Sequence, residues 1–176
     1  MKTRVIAVIG NKKSGKTTTI EKMIQELTKR GYKVAAIKHV SEPNFTIDTS
    51  EKDTWKFAQA GAKTIIIAAA NETATIEKIP SRNLSLEALL KKCRGNHVVF
   101  IEGLKKLVAT EKNVPKIVTA KSMKEARNAL ESFKPILAFS GPYNTETLDF
   151  ETPYVNALKN PEKLANIIEE KLLKEE

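Results

Sequence analysis

Residues 4–9 (RVIAVI) form an unbroken apolar run that stops at Gly10, the pattern of a strand buried on both faces. From Lys16 to Arg30 the apolar positions fall at Ile20, Met23, Ile24 and Leu27, one stripe of a helix, and Gly31 supplies its stop. A second strand is predicted over 33–37 (KVAAI), then a loop over 39–49 containing Pro43. Ser50 predicts the cap of a helix over 51–60, with Trp55, Phe57 and Ala58 as its apolar surface and Gly61 as its end. The all-apolar run 64–69 (TIIIAA) and the alternating run 74–79 (ATIEKI) predict a hairpin joined near Asn71–Glu72.

After a short helix near 84–92, HVVFIEG (97–103) reads as a buried strand ending in a carboxylate. Residues 116–119 (KIVT) predict another strand, and Ser122 with Glu125 makes a capping box for a helix reaching about Glu131. Residues 135–139 (PILAF) predict the last strand. Asn160–Pro161 opens a final helix with Leu164, Ile167, Ile168 and Leu172 on its inner face. Apolar runs alternating with helices predict an α/β three-layer sandwich around a mostly parallel sheet, with one added hairpin. With 176 residues and no repeat, low-complexity tract or joint, residues 1–176 are expected to form a single domain.

Composition narrows the setting. An apolar fraction of 41% with 29% charged residues belongs to a folded soluble chain, and no apolar run approaches the ~18–20 residues of a membrane span. The N-terminus enters a strand pattern without a cleavage site, so a cytoplasmic protein is expected. The single cysteine, Cys93, excludes an internal disulfide and a thiolate metal cage. A net charge of +9 favours an anionic partner or simply keeps the chain soluble. Aspartate is scarce, which makes Asp48 and Asp53, five residues apart, worth inspecting.

The chemistry concentrates at Gly10-Asn11-Lys12-Lys13-Ser14-Gly15-Lys16-Thr17, which fits G-x-x-x-x-G-K-[ST] without a mismatch. By chance the pattern arises in about one chain in a hundred of this length, and here it also falls between a strand and a helix. Such a loop turns successive amide N–H groups around a β-phosphate, with the helix N-terminus adding partial positive charge. Lys16 would reach the β- and γ-phosphate oxygens, the Thr17 hydroxyl would ligate Mg²⁺, and Thr18 continues the loop into the helix. The predicted fold is therefore of the P-loop NTPase type.

A magnesium site of this kind needs an acidic group at the end of a neighbouring strand. Glu102, closing VVFIE, is placed at the carboxyl edge of the sheet, either working near the metal or as a strand-end carboxylate in solvent. Asp48 lies where a switch-like segment could meet the γ-phosphate, or it makes an Asx turn. Asp53, three residues after Ser50, is explained by helix capping. Lys38 and His39 end the second strand on the same edge. There the cation suits phosphate, while His39 either donates to an anion or makes a backbone contact. Lys16, Glu102 and Asp48 are the expected catalytic groups; Thr17, Asp48 and Glu102 are the expected magnesium set.

Taken together, GNKKSGKTTTIEKMI, IKHVSEPNFTIDTSEKDTWKFAQAGA, VVFIEGLKKL and VPKIV resemble the MobB family, the molybdopterin-guanine dinucleotide biosynthesis protein B P-loop GTPases. The resemblance covers about residues 4–119, carried by IKH, KDT with AGA, EGLK and PKI in that order. It implies a homodimeric protein that binds GTP with Mg²⁺ and hydrolyses it slowly. It also implies work beside the enzyme that joins GMP to molybdopterin, in making the molybdenum (or tungsten) guanine-dinucleotide cofactor, with molybdopterin itself a candidate ligand. Lys16 and Thr17 match the phosphate and magnesium positions, and Asp48, Asp53, Lys38, His39, Glu102 and Lys105 match other motif positions. Val40-Ser41-Glu42-Pro43 stands where the family often has histidines, Glu51 where it often has glycine, and Lys12 and Lys13 where smaller residues are usual.

No N-K-x-D sequence reads guanine, so guanine preference rests on the resemblance, and Ser140-Gly141-Pro142 is where base contacts are expected. The alternative is a P-loop small-molecule kinase using ATP or GTP. Such enzymes clamp the moving phosphoryl with mobile arginines, and the five here (Arg4, Arg30, Arg82, Arg94, Arg127) fall in no Gly-rich lid. Nucleic-acid binding is disfavoured, because aromatics make up only 6% and no lysine stripe is interleaved with them.

Overall fold

The apolar runs predicted as buried strands become neighbours in one sheet. The fold is that of a computed structural model describing residues 3–80, 83–142 and 151–174; Arg82, one of the arginines weighed above, lies outside them. In chain order the elements begin with β1 (Arg4–Gly10), α1 (Lys16–Lys29), β2 (Val34–Lys38) and α2 (Asp53–Gln59). They continue with β3 (Thr64–Ala68), β4 (Thr73–Glu77), α3 (Leu86–Lys91), β5 (Val98–Glu102) and α4 (Lys105–Val108). Last come β6 (Lys116–Thr119), α5 (Met123–Ser132), β7 (Ile136–Ser140), α6 (Pro161–Ile168) and a π-helical turn, Glu169–Leu173. Among the described residues no helix is long and apolar enough to cross a membrane.

The chain divides into two compact units, Met1–His39 with Leu89–Glu176, and Val40–Ala88. The first holds a five-stranded sheet in the order β2-β5-β1-β6-β7, every pairing parallel. A parallel sheet needs cover on both faces, which is why its strands read as continuous apolar runs. Ile6 and Val8 enter a core with Ile20, Met23 and Leu27 of α1 and Leu164 and Ile168 of α6. Ala7 and Ile9, which alternate with them, are fully buried as well. β1 is central; the chain builds β2 and β5 on one side of it and then crosses to β6 and β7 on the other, so a crevice opens at its carboxyl end.

The second unit holds the hairpin, with Thr64 opposite Glu77 and Ala68 opposite Thr73, closed by Ala69 N–H to the Glu72 carbonyl at 2.9 Å. Its uniformly apolar strand is not buried on both faces. Ile65 and Ile76 are buried, whereas Ile66 is 69% exposed. The helix predicted from Ser50 begins only at Asp53, with Lys52 at its cap and no side-chain capping bond. The reason is Glu51, at φ 78, which breaks the helical path between Ser50 and Asp53. Asp53 therefore caps nothing. It lies exposed in the first turn and pairs with Lys56 at 3.1 Å.

The capping box at Ser122 does form. The Ser122 hydroxyl accepts from Glu125 N–H at 3.3 Å, and the Glu125 carboxylate accepts from Lys121 N–H at 2.8 Å, one residue further out than the usual box. That carboxylate also takes a side-chain hydrogen bond from Asn11 of the Gly10–Thr17 loop, and these bonds hold its pKa below the ordinary value.

Candidate functional site

The Gly10–Thr17 loop leaves β1 and enters α1 through two left-handed residues, Lys13 at φ 60 and Gly15 at φ 91. Glycine is required at 10 for a different reason. A Cβ there would run into the Thr119 hydroxyl and carbonyl and the Ser14 hydroxyl. Those groups latch the loop to β6. The Ser14 hydroxyl donates to the Asn11 carbonyl at 2.8 Å and lies 2.6 Å from the Thr119 hydroxyl, which is also 3.2 Å from the Ile9 carbonyl. Ser14 and Thr119 are both buried. Above the latch the loop borders a concavity of about 310 Å³ lined by residues 12–18 and Glu102. α1 has no side-chain cap and no acidic residue in its first turn, so its N–H groups are left to an anion.

Parallel register brings the strand ends together. Glu102 is level with Val8 of β1 on one side and Lys38 of β2 on the other. The Thr17 hydroxyl donates to Glu102 Oε2 at 3.0 Å, and Lys38 Nζ lies 3.5 Å from the same oxygen. Lys16 Nζ folds back onto the Asn11 carbonyl at 2.7 Å. Burial lowers its pKa below the ordinary lysine value; Glu102 opposes this, and the nearby charges of Lys105, Lys38 and Lys121 add to it. Lys16 is thus a partly desolvated cation among cations, a group that gains from a phosphate more than an exposed lysine would.

The structure brings Lys12, Lys13, Ser14, Gly15, Lys16, Thr17 and Thr18 together with Glu102, sets Gly10 against Ser14 and Thr119 and Asn11 against Lys16, and places Lys38 and Lys105 within electrostatic range of Lys16. His39 donates its backbone N–H to the Glu102 carbonyl at 3.0 Å, and its side chain packs over Gly103. Asp48 belongs to the second unit. There its Oδ1 accepts from the Thr54 hydroxyl at 2.8 Å, its N–H donates to the Thr46 hydroxyl at 3.1 Å, and Oδ2 is buried with no partner among the described residues. No cluster of three or more His, Cys, Asp or Glu side chains able to hold a metal occurs among the described residues. Sequence reasoning missed Thr119, because a threonine ending KIVT looks like any strand residue.

Known proteins resemble this chain in sequence and in fold. A family profile described as molybdopterin guanine dinucleotide synthesis protein B, MobB, matches residues 5–140. The chain is 33% identical over 116 residues to the molybdopterin-guanine dinucleotide biosynthesis adapter protein of Haemophilus influenzae, covering 65% of this chain and 61% of that one. A protein of Methanocaldococcus jannaschii, provisionally given the same description, is 32% identical over 145 residues, covering 81% and 58%. The chain thus spans about three-fifths of the length of these relatives. The structure of Bacillus subtilis MobB superposes with a TM-score of 0.70 at 22% identity, covering 98% of this chain and 99% of that one. A MobB homologue from Bacillus stearothermophilus gives 0.66 at 20% identity, with 94% and 96% covered. At such identities the structural likeness speaks for the fold, while the profile spans most of the sequence. The chain belongs to the MobB family.

Proposed function

We propose that this chain binds GTP with Mg²⁺ at the Gly10–Thr18 loop, hydrolyses it slowly, and serves as an adapter to the enzyme that attaches GMP to molybdopterin. One observation carries the nucleotide part: a phosphate loop held open by the Ser14–Thr119 latch, with the Thr17 hydroxyl and the Glu102 carboxylate 3.0 Å apart at its mouth. A hydroxyl beside a carboxylate fits magnesium, which takes few protein ligands and keeps phosphate and water oxygens as the rest. Bound there, the ion would neutralise charge on the β- and γ-oxygens. The chain's own groups position the phosphates. Lys16 would exchange the Asn11 carbonyl for a phosphate oxygen, and the α1 N–H groups would receive the β-phosphate. Lys38 and Lys105 add positive field. For Asp48 the support is within its own unit, a buried carboxylate oxygen open to a cation or a donor.

The adapter role is carried over from the named relatives. A homodimer is the expectation from the family, and the second unit leaves Phe45, Ile47, Phe57, Ile66, Ile67 and Ile79 exposed, side chains of the kind an interface covers. The kinase reading is not favoured. Arg30 is held by Glu169 at 2.8 Å, and no described arginine lines the phosphate cradle.

The test is calorimetric titration of GTP with Mg²⁺ into the full chain and into Lys16→Ala, followed by phosphate release. Binding that Lys16→Ala weakens by about a hundredfold or more, the loss of one or two charge-assisted hydrogen bonds, supports the reading. Equal binding by the variant, or phosphate appearing on an added acceptor, would overturn it.

A further inference from the structure

Beside the phosphate loop lies a second cavity, about 300 Å³, that the phosphate chemistry does not use. One wall is Lys13 and Gly15, and the other is Gly141 and Pro142 with Asn156 and Leu158. Its construction is local. Residues 153–155 run alongside β7: Phe139 N–H donates to the Pro153 carbonyl at 2.8 Å, and Val155 N–H to the Phe139 carbonyl at 2.9 Å. The Tyr154 hydroxyl fixes the loop after β7 by donating to the Gly141 carbonyl at 2.7 Å. Gly141 itself sits so close to the Ser14 and Ala120 carbonyls, 2.8 Å from where a Cβ would be, that this wall is pressed onto the phosphate loop.

Pairing with β7 delivers Asn156 to the strand's carboxyl end, where Ser140 also lines the cavity. The Ser140 hydroxyl is buried without a hydrogen-bond partner among the described residues. Asn156 Oδ1 accepts from Leu158 N–H at 3.0 Å and Lys159 N–H at 3.2 Å. Two backbone donors fix which amide atom is the oxygen. They also use up its acceptor, so the group left for a ligand is the NH₂, with donors only. Pro142 and Leu158, the latter 62% exposed, supply apolar surface against which a flat ring can lie.

A planar ligand that meets the Asn156 NH₂, which only donates, must present acceptors to it, while the Ser140 hydroxyl can donate or accept. The adjacent O6 and N7 of a 6-oxopurine do so, whereas adenine sets an amine donor beside N7. We infer that this cavity receives the base of the nucleotide and that the Asn156 amide selects a 6-oxopurine through O6 and N7. The inference rests on the phosphate-loop reading above and adds a specificity-determining residue to it.

The experiment titrates GTP, ITP, ATP and inorganic triphosphate, each with Mg²⁺, into the full chain and into Asn156→Asp. Aspartate keeps the oxygen that accepts from Leu158 and Lys159 N–H, so the turn is retained; it replaces the donors with a charged acceptor, and the triphosphate arm reads the general repulsion that charge adds. For the unaltered chain, ITP should bind within about threefold of GTP and ATP at least about tenfold more weakly, 1.4 kcal/mol. In Asn156→Asp the GTP-to-ATP ratio should fall below about threefold, beyond any change shared with triphosphate. An unchanged ratio in the variant, no preference for GTP over ATP in the unaltered chain, or ITP as weak as ATP overturns the base assignment while triphosphate still binds. Failure of both triphosphate and GTP to bind the unaltered chain overturns the phosphate-loop reading, and this inference with it.

Discussion

The Ser14–Thr119 latch gives a prediction that can be worked from its geometry. The Ser14 hydroxyl donates to the Asn11 carbonyl at 2.8 Å and the Thr119 hydroxyl to the Ile9 carbonyl at 3.2 Å, and either can turn its proton across the 2.6 Å contact between them. Thr119→Val keeps the shape and removes that hydroxyl from the contact at a buried site, where a net hydrogen bond contributes about 1 kcal/mol. Ser14→Ala removes the other partner. The Asn11 carbonyl is not orphaned by that change, since Lys16 Nζ also donates to it at 2.7 Å, so the expected loss is again about 1 kcal/mol. The double variant loses the shared bond only once. Its destabilisation should fall short of the sum of the single losses by about 1 kcal/mol, the coupling of one buried pair. For a chain of this size each such loss lowers the melting temperature by about 2–4 °C. The assay is urea unfolding followed by far-ultraviolet circular dichroism, because the single tryptophan, Trp55, lies in the second unit and does not report on this sheet. Single losses that add to within about 0.3 kcal/mol, the scatter expected of independent sites, would refute the latch.

Three further outcomes follow from the site and its supports. Glu102→Gln keeps an acceptor for the Thr17 hydroxyl and removes the charge, so hydrolysis should slow by about 10–100-fold while binding changes less; equal effects on both would return Glu102 to a strand-end role. Lys16 has a lowered pKa in the free protein, and phosphate binding needs it charged. Affinity should therefore be full below that pKa and fall as pH rises through it, earlier than an ordinary lysine would allow. Lys16→Arg, charged throughout, should lack the fall in titrations between neutral and alkaline pH. Lys116 is fully buried, donates to the Glu111 and Lys134 carbonyls at 2.8 and 2.6 Å, and has its pKa lowered by burial. Lys116→Met should cost about 1–2 kcal/mol at neutral pH through the lost bonds. Because the unfolded chain holds that proton more tightly, the native protein should gain stability relative to the variant as pH rises toward 10.5. A gap that stays constant in melts across that range would refute the linkage.

How far the sequence foretold this depends on whether a signal was local. The turn of the Gly10–Thr17 loop was legible because its spacing is stereochemical: glycine where a Cβ would strike Thr119, glycine again where φ reaches 91. Glu102 was legible because an apolar run ending in a carboxylate marks the sheet's edge, and the observed register makes it level with Lys38. Signals failed where one residue's backbone overrode its neighbours. Glu51 in a left-handed conformation moved the start of α2 past Ser50, and Leu104, at φ 51, allowed the unforeseen four-residue α4. TIIIAA has the composition of a doubly covered strand, yet in the chain alone it forms a hairpin with one face open. The pairing of 153–155 with β7 could not be seen at all, since PYV is too short to carry a period. Asn156 accordingly looked like any loop asparagine.

The free site also bears on why slow turnover is the expected behaviour. Groups assigned to the nucleotide already have partners: Lys16 on the Asn11 carbonyl, Thr17 on Glu102, Lys38 beside the same carboxylate. Binding is then an exchange of hydrogen bonds rather than a gain of them, and the net return of each is the small difference between two good contacts. What changes outright is charge, because Lys16 sits partly desolvated with Lys105, Lys38 and Lys121 around it. A phosphate chain relieves that repulsion in the bound nucleotide and in the transition state to similar extents. Uniform stabilisation of this kind favours holding the nucleotide over cleaving it. Acceleration needs a charge that acts only as the bond to the γ-phosphate breaks, usually an arginine. Arg30 is held by Glu169, and no described arginine lines the cradle. On the proposed reading, such a site favours holding a nucleotide over cleaving it, and a partner that accelerates cleavage would have to bring a further cation to the cradle lined by Lys12 and Glu102.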